Sequence, residues 1–191
     1  MKTKIARAAL ITALLVASVY GKRQWQAGQR AQAAARALAQ VDQWTPAAQM
    51  AAHVMIEQYG PPQEISAFEL RWNGPSPWKR IVIQNEPQSP LEEVVTFSVS
   101  AKKLAALARF PHGLRFYPSE GALGARGKRE SFNLLSLNLA NEIATGKITP
   151  EEANRYFVKT IRLNEAGKSS PYMERLLFKT RIEPYEGFPI P

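Results

Sequence analysis

Hydrophobic and polar positions change period several times along the chain, and each change marks an element. Residues 8–20 (AALITALLVASVY) form an uncharged apolar run, with Lys2, Lys4 and Arg7 before it and Lys22 and Arg23 after it. Residues 24–41 are rich in Ala and Gln, strong helix formers, with Leu38 and Val41 as the few apolar anchors and Trp25 and Trp44 at either side. Thr45-Pro46 opens the next helix, with Thr as N-cap and Pro at the first helical position. Within it Ala48, Ala52, Met55, Ile56 and Tyr59 recur at helical spacing and predict a core-facing stripe. Gly60-Pro61-Pro62 ends it. The period then falls to two. Phe68, Leu70 and Trp72 alternate with Glu69 and Arg71, predicting a strand over 68–73. The turn Gly74-Pro75-Ser76-Pro77 leads to a partner strand over 78–85, and the two read as an antiparallel hairpin. A third strand is expected over 94–99, a helix over 101–109 behind Ser100, and a short fourth strand over 114–117. Residues 119–128 (SEGALGARGK) read as a Gly-rich loop.

The last third is helical. Phe132, Leu135, Leu139 and Ile143 share one face of a helix over 131–145, with Gly146 at its end. Thr149-Pro150-Glu151-Glu152 is a capping box that opens another helix, running to about residue 166. The pair predicts an αα-hairpin packed on the sheet. One more helical turn fits 171–178, and the tail EPYEGFPIP is too rich in Pro for regular structure. The pattern therefore predicts an α+β fold, a small antiparallel sheet of three to four strands packed against helices. Its expected divisions are a signal peptide or N-terminal anchor over 1–21, an Ala/Gln-rich helical linker over 22–44, a single α+β domain over 45–178 and a Pro-rich tail over 179–191.

Charge and composition sharpen the address. The 191 residues suit one domain plus an appendage. Five of the nine net positive charges fall within residues 1–28, which hold no acid. The domain itself is thus only mildly basic, and nucleic acid is not an expected partner. The chain has no cysteine, which excludes disulfides, thiol nucleophiles, Cys-based metal sites and the lipidated Cys of a lipoprotein. A basic start followed by an apolar run shorter than the ~20 residues of a spanning helix predicts a signal peptide. The small residues at possible cleavage positions, Val16 with Ser18 or Val19 with Gly21, are not A-x-A. An uncleaved anchor, with Arg7 and Lys22 at the two interfaces, is the alternative. The expected location is the periplasm, or the inner membrane with the domain facing the periplasm.

Three stretches carry a resemblance. They are Tyr59-Gly60-Pro61-Pro62 with Glu64, Leu70 and Trp72; Pro77-Trp78-Lys79-Arg80; and Asn138-Leu139-Ala140 with Ile143, Thr145, Gly146 and Lys147. Together they span roughly residues 45–178, and the chain resembles a group of uncharacterised exported proteins of Gram-negative bacteria. That group has no assigned activity, so the resemblance implies an address and no mechanism. The helix, Gly-Pro turn and Trp-bearing hairpin also look like the small helix-and-sheet modules of envelope assembly lipoproteins. This chain departs from those in lacking the lipidated Cys and in its long C-terminal helices.

Candidate chemistry is sparse. His53 lies four residues before Glu57 on a polar helix face, and His112 sits in a Pro-His-Gly turn. Neither belongs to an H-E-x-x-H motif, so no metal or cofactor is expected. Glu151 and Glu152 are explained by helix capping. Glu92 and Glu93 are adjacent on a strand and point to opposite faces, so they cannot share a substrate. Ser119 and Ser131 lack a G-x-S-x-G context. No catalytic residue is predicted. The remaining feature is basic: Trp78, Lys79 and Arg80 after the Pro-rich turn, and Arg126, Lys128 and Arg129 on the Gly-rich loop. Arg forks and loop N–H groups suit phosphate or carboxylate, which makes these six candidates for an anion or partner site. The expected function is a non-catalytic exported envelope protein that binds a protein partner or an anionic envelope component. The alternatives are an envelope hydrolase or transferase whose site is assembled from distant residues, and a membrane-anchored structural subunit.

Overall fold

The computed structural model describes residues 24–180. The segment read as a signal peptide or anchor lies outside them, as does most of the Pro-rich tail. Residues 24–41 form helix α1, exposed over its first half; farther along Ala37 and Val41, and Trp44 just beyond the helix, join the core. Helix α2 (Pro46–Tyr59) follows. Thr45 does not cap it through its side chain; the hydroxyl instead donates to the Glu86 carbonyl at 2.9 Å. Gly60, at φ 79°, closes the helix, a backbone angle glycine adopts without steric cost.

Strands β1 (Glu64–Ile65), β2 (Glu69–Asn73), β3 (Arg80–Gln84), β4 (Leu91–Thr96), β5 (Leu114–Tyr117) and β6 (Ala122–Gly127) build one antiparallel sheet in the order β1-β2-β3-β4-β6-β5. The expected hairpin is β2–β3, with Leu70 opposite Ile83 and Trp72 opposite Ile81. Two expectations are corrected. The sheet has six strands where three to four were expected. The Gly-rich stretch 119–128 is largely the interior strand β6, entered through the 3-10 turn Pro118–Glu120. The third strand also begins earlier than expected, at Leu91.

Side-chain alternation gives the sheet two unlike faces. Leu70, Trp72, Ile81, Ile83, Leu91, Val95, Leu123 and Ala125 face the helices and merge with them into one apolar core. On the opposite face Val82 and Val94 are buried beneath Arg80, Glu92, Tyr117 and their neighbours. Helix α3 (Ala101–Ala108) bridges β4 and β5. Helix α4 (Glu130–Thr145) lies on β4 and β6 and is flanked by α3, α5 (Pro150–Glu165) and the short α6 (Pro171–Glu174). Residues 133–140 of α4 are all buried, so it is an axis of the fold and not a surface helix. The α4–α5 hairpin appears as expected, and its capping box is complete: Glu152 donates its N–H to Thr149 Oγ1 and accepts from the Thr149 N–H. Among the described residues no helix is long and apolar enough to cross a membrane.

Candidate functional site

Two features lie at opposite ends of α4, a helix about 24 Å long from its 16 residues. At its N-terminal end a chain of polar groups enters the core. Trp78 Nε1 donates to Tyr59 Oη at 2.8 Å and more weakly to Glu130 Oε1 at 3.2 Å. Tyr59 Oη donates to Glu130 Oε1 at 2.5 Å. Glu130 opens α4, where a carboxylate meets the positive end of the helix dipole. Behind it Glu93 projects from β4 into the core and is fully buried. Asn133 Nδ2 donates to Glu93 Oε2 at 3.0 Å and to the Leu91 carbonyl at 3.1 Å.

Burial, reinforced by the neighbouring Glu130 carboxylate, pushes the Glu93 carboxyl well above its ordinary range. Ionised, its Oε1 has no donor. Protonated, Glu93 can donate to Glu130 and the chain of hydrogen bonds closes. Tyr59 is raised in the same way, first by burial and then by its bond to Glu130. Glu93 has no exposed surface, while Glu130 beside it is half-buried.

At the other end of α4 lies an open cleft of about 810 Å³. The β4–α3 connection and the start of α3 form one wall, the β5–β6 turn a second, and the last turns of α4 with Phe178 and Lys179 the third. Phe97, Val99, Leu104, Phe116 and Phe178 give it apolar sides, and Phe97 and Phe178 meet edge to face at 5.7 Å. Ser98, Ser100, Thr145, Lys103 and Lys179 supply hydroxyls and ammonium groups, and no carboxylate or histidine appears among its described lining residues. The first turn of α3 opens on this cleft and holds no acid, and the Ser100 hydroxyl does not cap it. Helix N–H groups and two ammoniums favour an anion there.

The six basic-patch candidates do not converge. Trp78 is buried in the polar chain just described. Lys79 and Arg80 both reach Glu120, at 3.3 and 2.5 Å, and Arg80 also lies over the Tyr117 ring at 4.4 Å. That contact with Arg80 holds the Glu120 carboxyl below its usual range. Tyr117 in turn donates to Glu92. Arg126 is tied to Gln84 Oε1 at 2.6 Å, to the Ser89 carbonyl at 2.8 Å and to Glu86 at 3.0 Å. Arg129 stacks over Phe132 at 4.5 Å, and Lys128 is exposed. Glu92 and Glu93 face opposite sides of the sheet, as their adjacency requires.

The histidines are elsewhere. His112 stacks on Phe157 at 3.6 Å and shares a hydrogen bond with Asn154 Oδ1 at 2.8 Å; burial lowers its basicity. Among the described residues no group of three or more potential ligands is placed to hold a metal ion.

Sequence reasoning missed the Glu93–Glu130 pair and the cleft. Both are long-range assemblies. Only the position of Glu93, at period two from Leu91 and Val95 on the apolar side of its strand, hinted at the first. Comparisons with models of known protein families, with curated proteins and with solved structures find no match to this chain.

Proposed function

We propose that this chain is a non-catalytic binding protein of the bacterial envelope that receives an anionic, partly apolar component in the cleft beside α3 and α4. The carrying observation is the lining of that cleft, aromatic and aliphatic sides with Lys103, Lys179 and an uncapped helix start, and no carboxylate among the described residues. Such a lining suits a ligand with an apolar body and a phosphate or carboxylate head. Partition of the chemistry supports binding over catalysis. Glu93 of the carboxyl pair has no exposed surface, and neither it nor Glu130 is among the described residues that line the cleft. The envelope address rests on the basic, then apolar opening of the chain. Membership of the exported group named above is part of the same proposal. The packing supports it to this extent: two of the three resembling stretches meet at Tyr59 and Trp78, and within the first the Gly60 carbonyl accepts from Trp72 Nε1 at 2.8 Å.

Calorimetric titration with decyl phosphate and decyl maltoside, both below their micellar concentrations, tests it. The phosphate is expected to bind and the maltoside not. Lys103→Gln and Lys179→Gln are each expected to weaken binding about tenfold, the worth of one charge-assisted contact. Equal binding of both amphiphiles, or indifference to both substitutions, would remove the proposal. Turnover of an envelope ester that is lost in Glu130→Gln would favour the enzyme reading instead.

A further inference from the structure

We propose that the outer face of α5 seats this protein on an anionic bilayer surface. In α5 only Pro150, Ala153 and Thr160 are buried. The opposite side carries Arg155, Val158, Lys159, Arg162 and Leu163, at i, i+3, i+4, i+7 and i+8. That spacing gathers them into a single stripe. Val158 and Leu163 are about two-fifths exposed, at 40% and 37%. Together with Asn154 the five residues surround one shallow depression.

The acids of the helix share this face but sit at its two ends. Glu152 is held by the capping box, Glu151 reaches Arg109 at 3.9 Å, and Glu165 is the last helical residue. Between Glu152 and Glu165 there is no negative charge. Three cations and two aliphatic side chains therefore present one surface about two turns long.

Charge complementarity selects the occupant. A plane of phosphodiester headgroups offers anions at close, regular spacing, which guanidinium groups bind in pairs and lysine as a point charge. The two aliphatic side chains reach the boundary between headgroups and acyl chains, as in helices that lie in a membrane interface. A helical protein partner asks for more apolar area than Val158 and Leu163 provide. The stripe shares no residue with the cleft, so this inference and the ligand proposal fail separately.

The test uses the absence of native cysteine. A Val158→Cys variant of the full chain carries an environment-sensitive fluorophore, and a second variant, Arg115→Cys, carries it on the exposed outer face of β5. Each is mixed with vesicles of phosphatidylglycerol and phosphatidylcholine in equal parts, with pure phosphatidylcholine vesicles, and with soluble polyglutamate. A blue shift is expected at position 158 only, with the anionic vesicles only, and reversed by 1 M salt, which screens such contacts. Adding Arg155→Gln, Lys159→Gln and Arg162→Gln is expected to lower vesicle partitioning reported by that label about a hundredfold, roughly fivefold per cation. These positions are exposed, and an unchanged Tm confirms the fold. If the triple variant melts lower, Lys159→Glu alone is used.

Three results would each overturn the inference. One is cosedimentation with no shift at 158, which assigns membrane binding to the N-terminal segment. Another is an equal shift with uncharged vesicles. The third is a shift with polyglutamate but not with vesicles, which assigns the stripe to an acidic protein.

Discussion

Glu93 is the residue whose behaviour the fold most constrains. A carboxyl with no exposed surface, facing another carboxyl, folds more readily protonated than ionised. Because its pKa is raised in the folded state, its contribution to stability is complete below the ordinary Glu range near pH 4.5. That contribution is lost as pH rises through the raised value. Glu93→Gln keeps a donor toward Glu130 and cannot ionise. Its urea midpoint is expected to lie above that of the parent chain at pH 8, by about 1–3 kcal/mol of stability, and the two are expected to converge near pH 4. Parallel curves from pH 4 to 9 would show that Glu93 does not carry the proton. The opposite orientation of Glu92 and Glu93 was legible from adjacency on a strand. The partner Glu130 was not, because only the packing of α4 across β4 and β6 brings it near.

Among the elements, α2, the β2–β3 hairpin and the capped α4–α5 pair follow directly from periodicity and punctuation. Strand β6 does not, and its glycines are the reason. In sequence Gly124 and Gly127 signal a loop. In the fold they admit close neighbours. A Cβ at 124 would stand 3.0 Å from Glu92 Oε1 and 3.2 Å from Val94 Cγ2, and one at 127 would stand 2.7 Å from Asn133 Oδ1.

The short α6 is held by a side chain that no pattern announces. Asn138 donates to the carbonyls of Tyr172 and Arg175 at 3.0 and 2.8 Å and accepts from the Leu177 N–H at 2.7 Å. Tyr172 adds a bond to Glu142 at 2.7 Å; burial and that carboxylate push its hydroxyl up to about 12. Asn138→Ala is expected to destabilise by about 1–3 kcal/mol, since it leaves three half-buried backbone groups without their partner. Limited proteolysis is expected to cut first within residues 166–178. A variant protected there as well as the parent would deny Asn138 this role.

At the scale of the molecule, the described helices pack on one face of the sheet, and the other face carries paired charges. Within the stretch expected as a helical linker, 22–44, the described residues divide between solvent and core: Trp25 is exposed, while Trp44 is buried and bonded through Nε1 to the Ala67 carbonyl at 3.0 Å. Trp44→Ala is expected to cost about 3–5 kcal/mol in urea denaturation, and Trp25→Ala less than about 0.5 kcal/mol. Equal effects would mean that the end of α1 is not part of the core. The split was not legible because an Ala-rich helix buries its small residues, such as Ala37, without a stripe of large ones.

Helix α4 has one more consequence, for how the chain can change over generations. An ordinary surface helix accumulates neutral substitutions along its wet side. For two full turns α4 has no such side, and its side chains there answer to the sheet, α3, α5 and α6 together. A new side chain anywhere in that stretch must suit several neighbours at once. Change therefore costs least in the polar rim and the loops, and along this rod it is confined to side chains of matching volume.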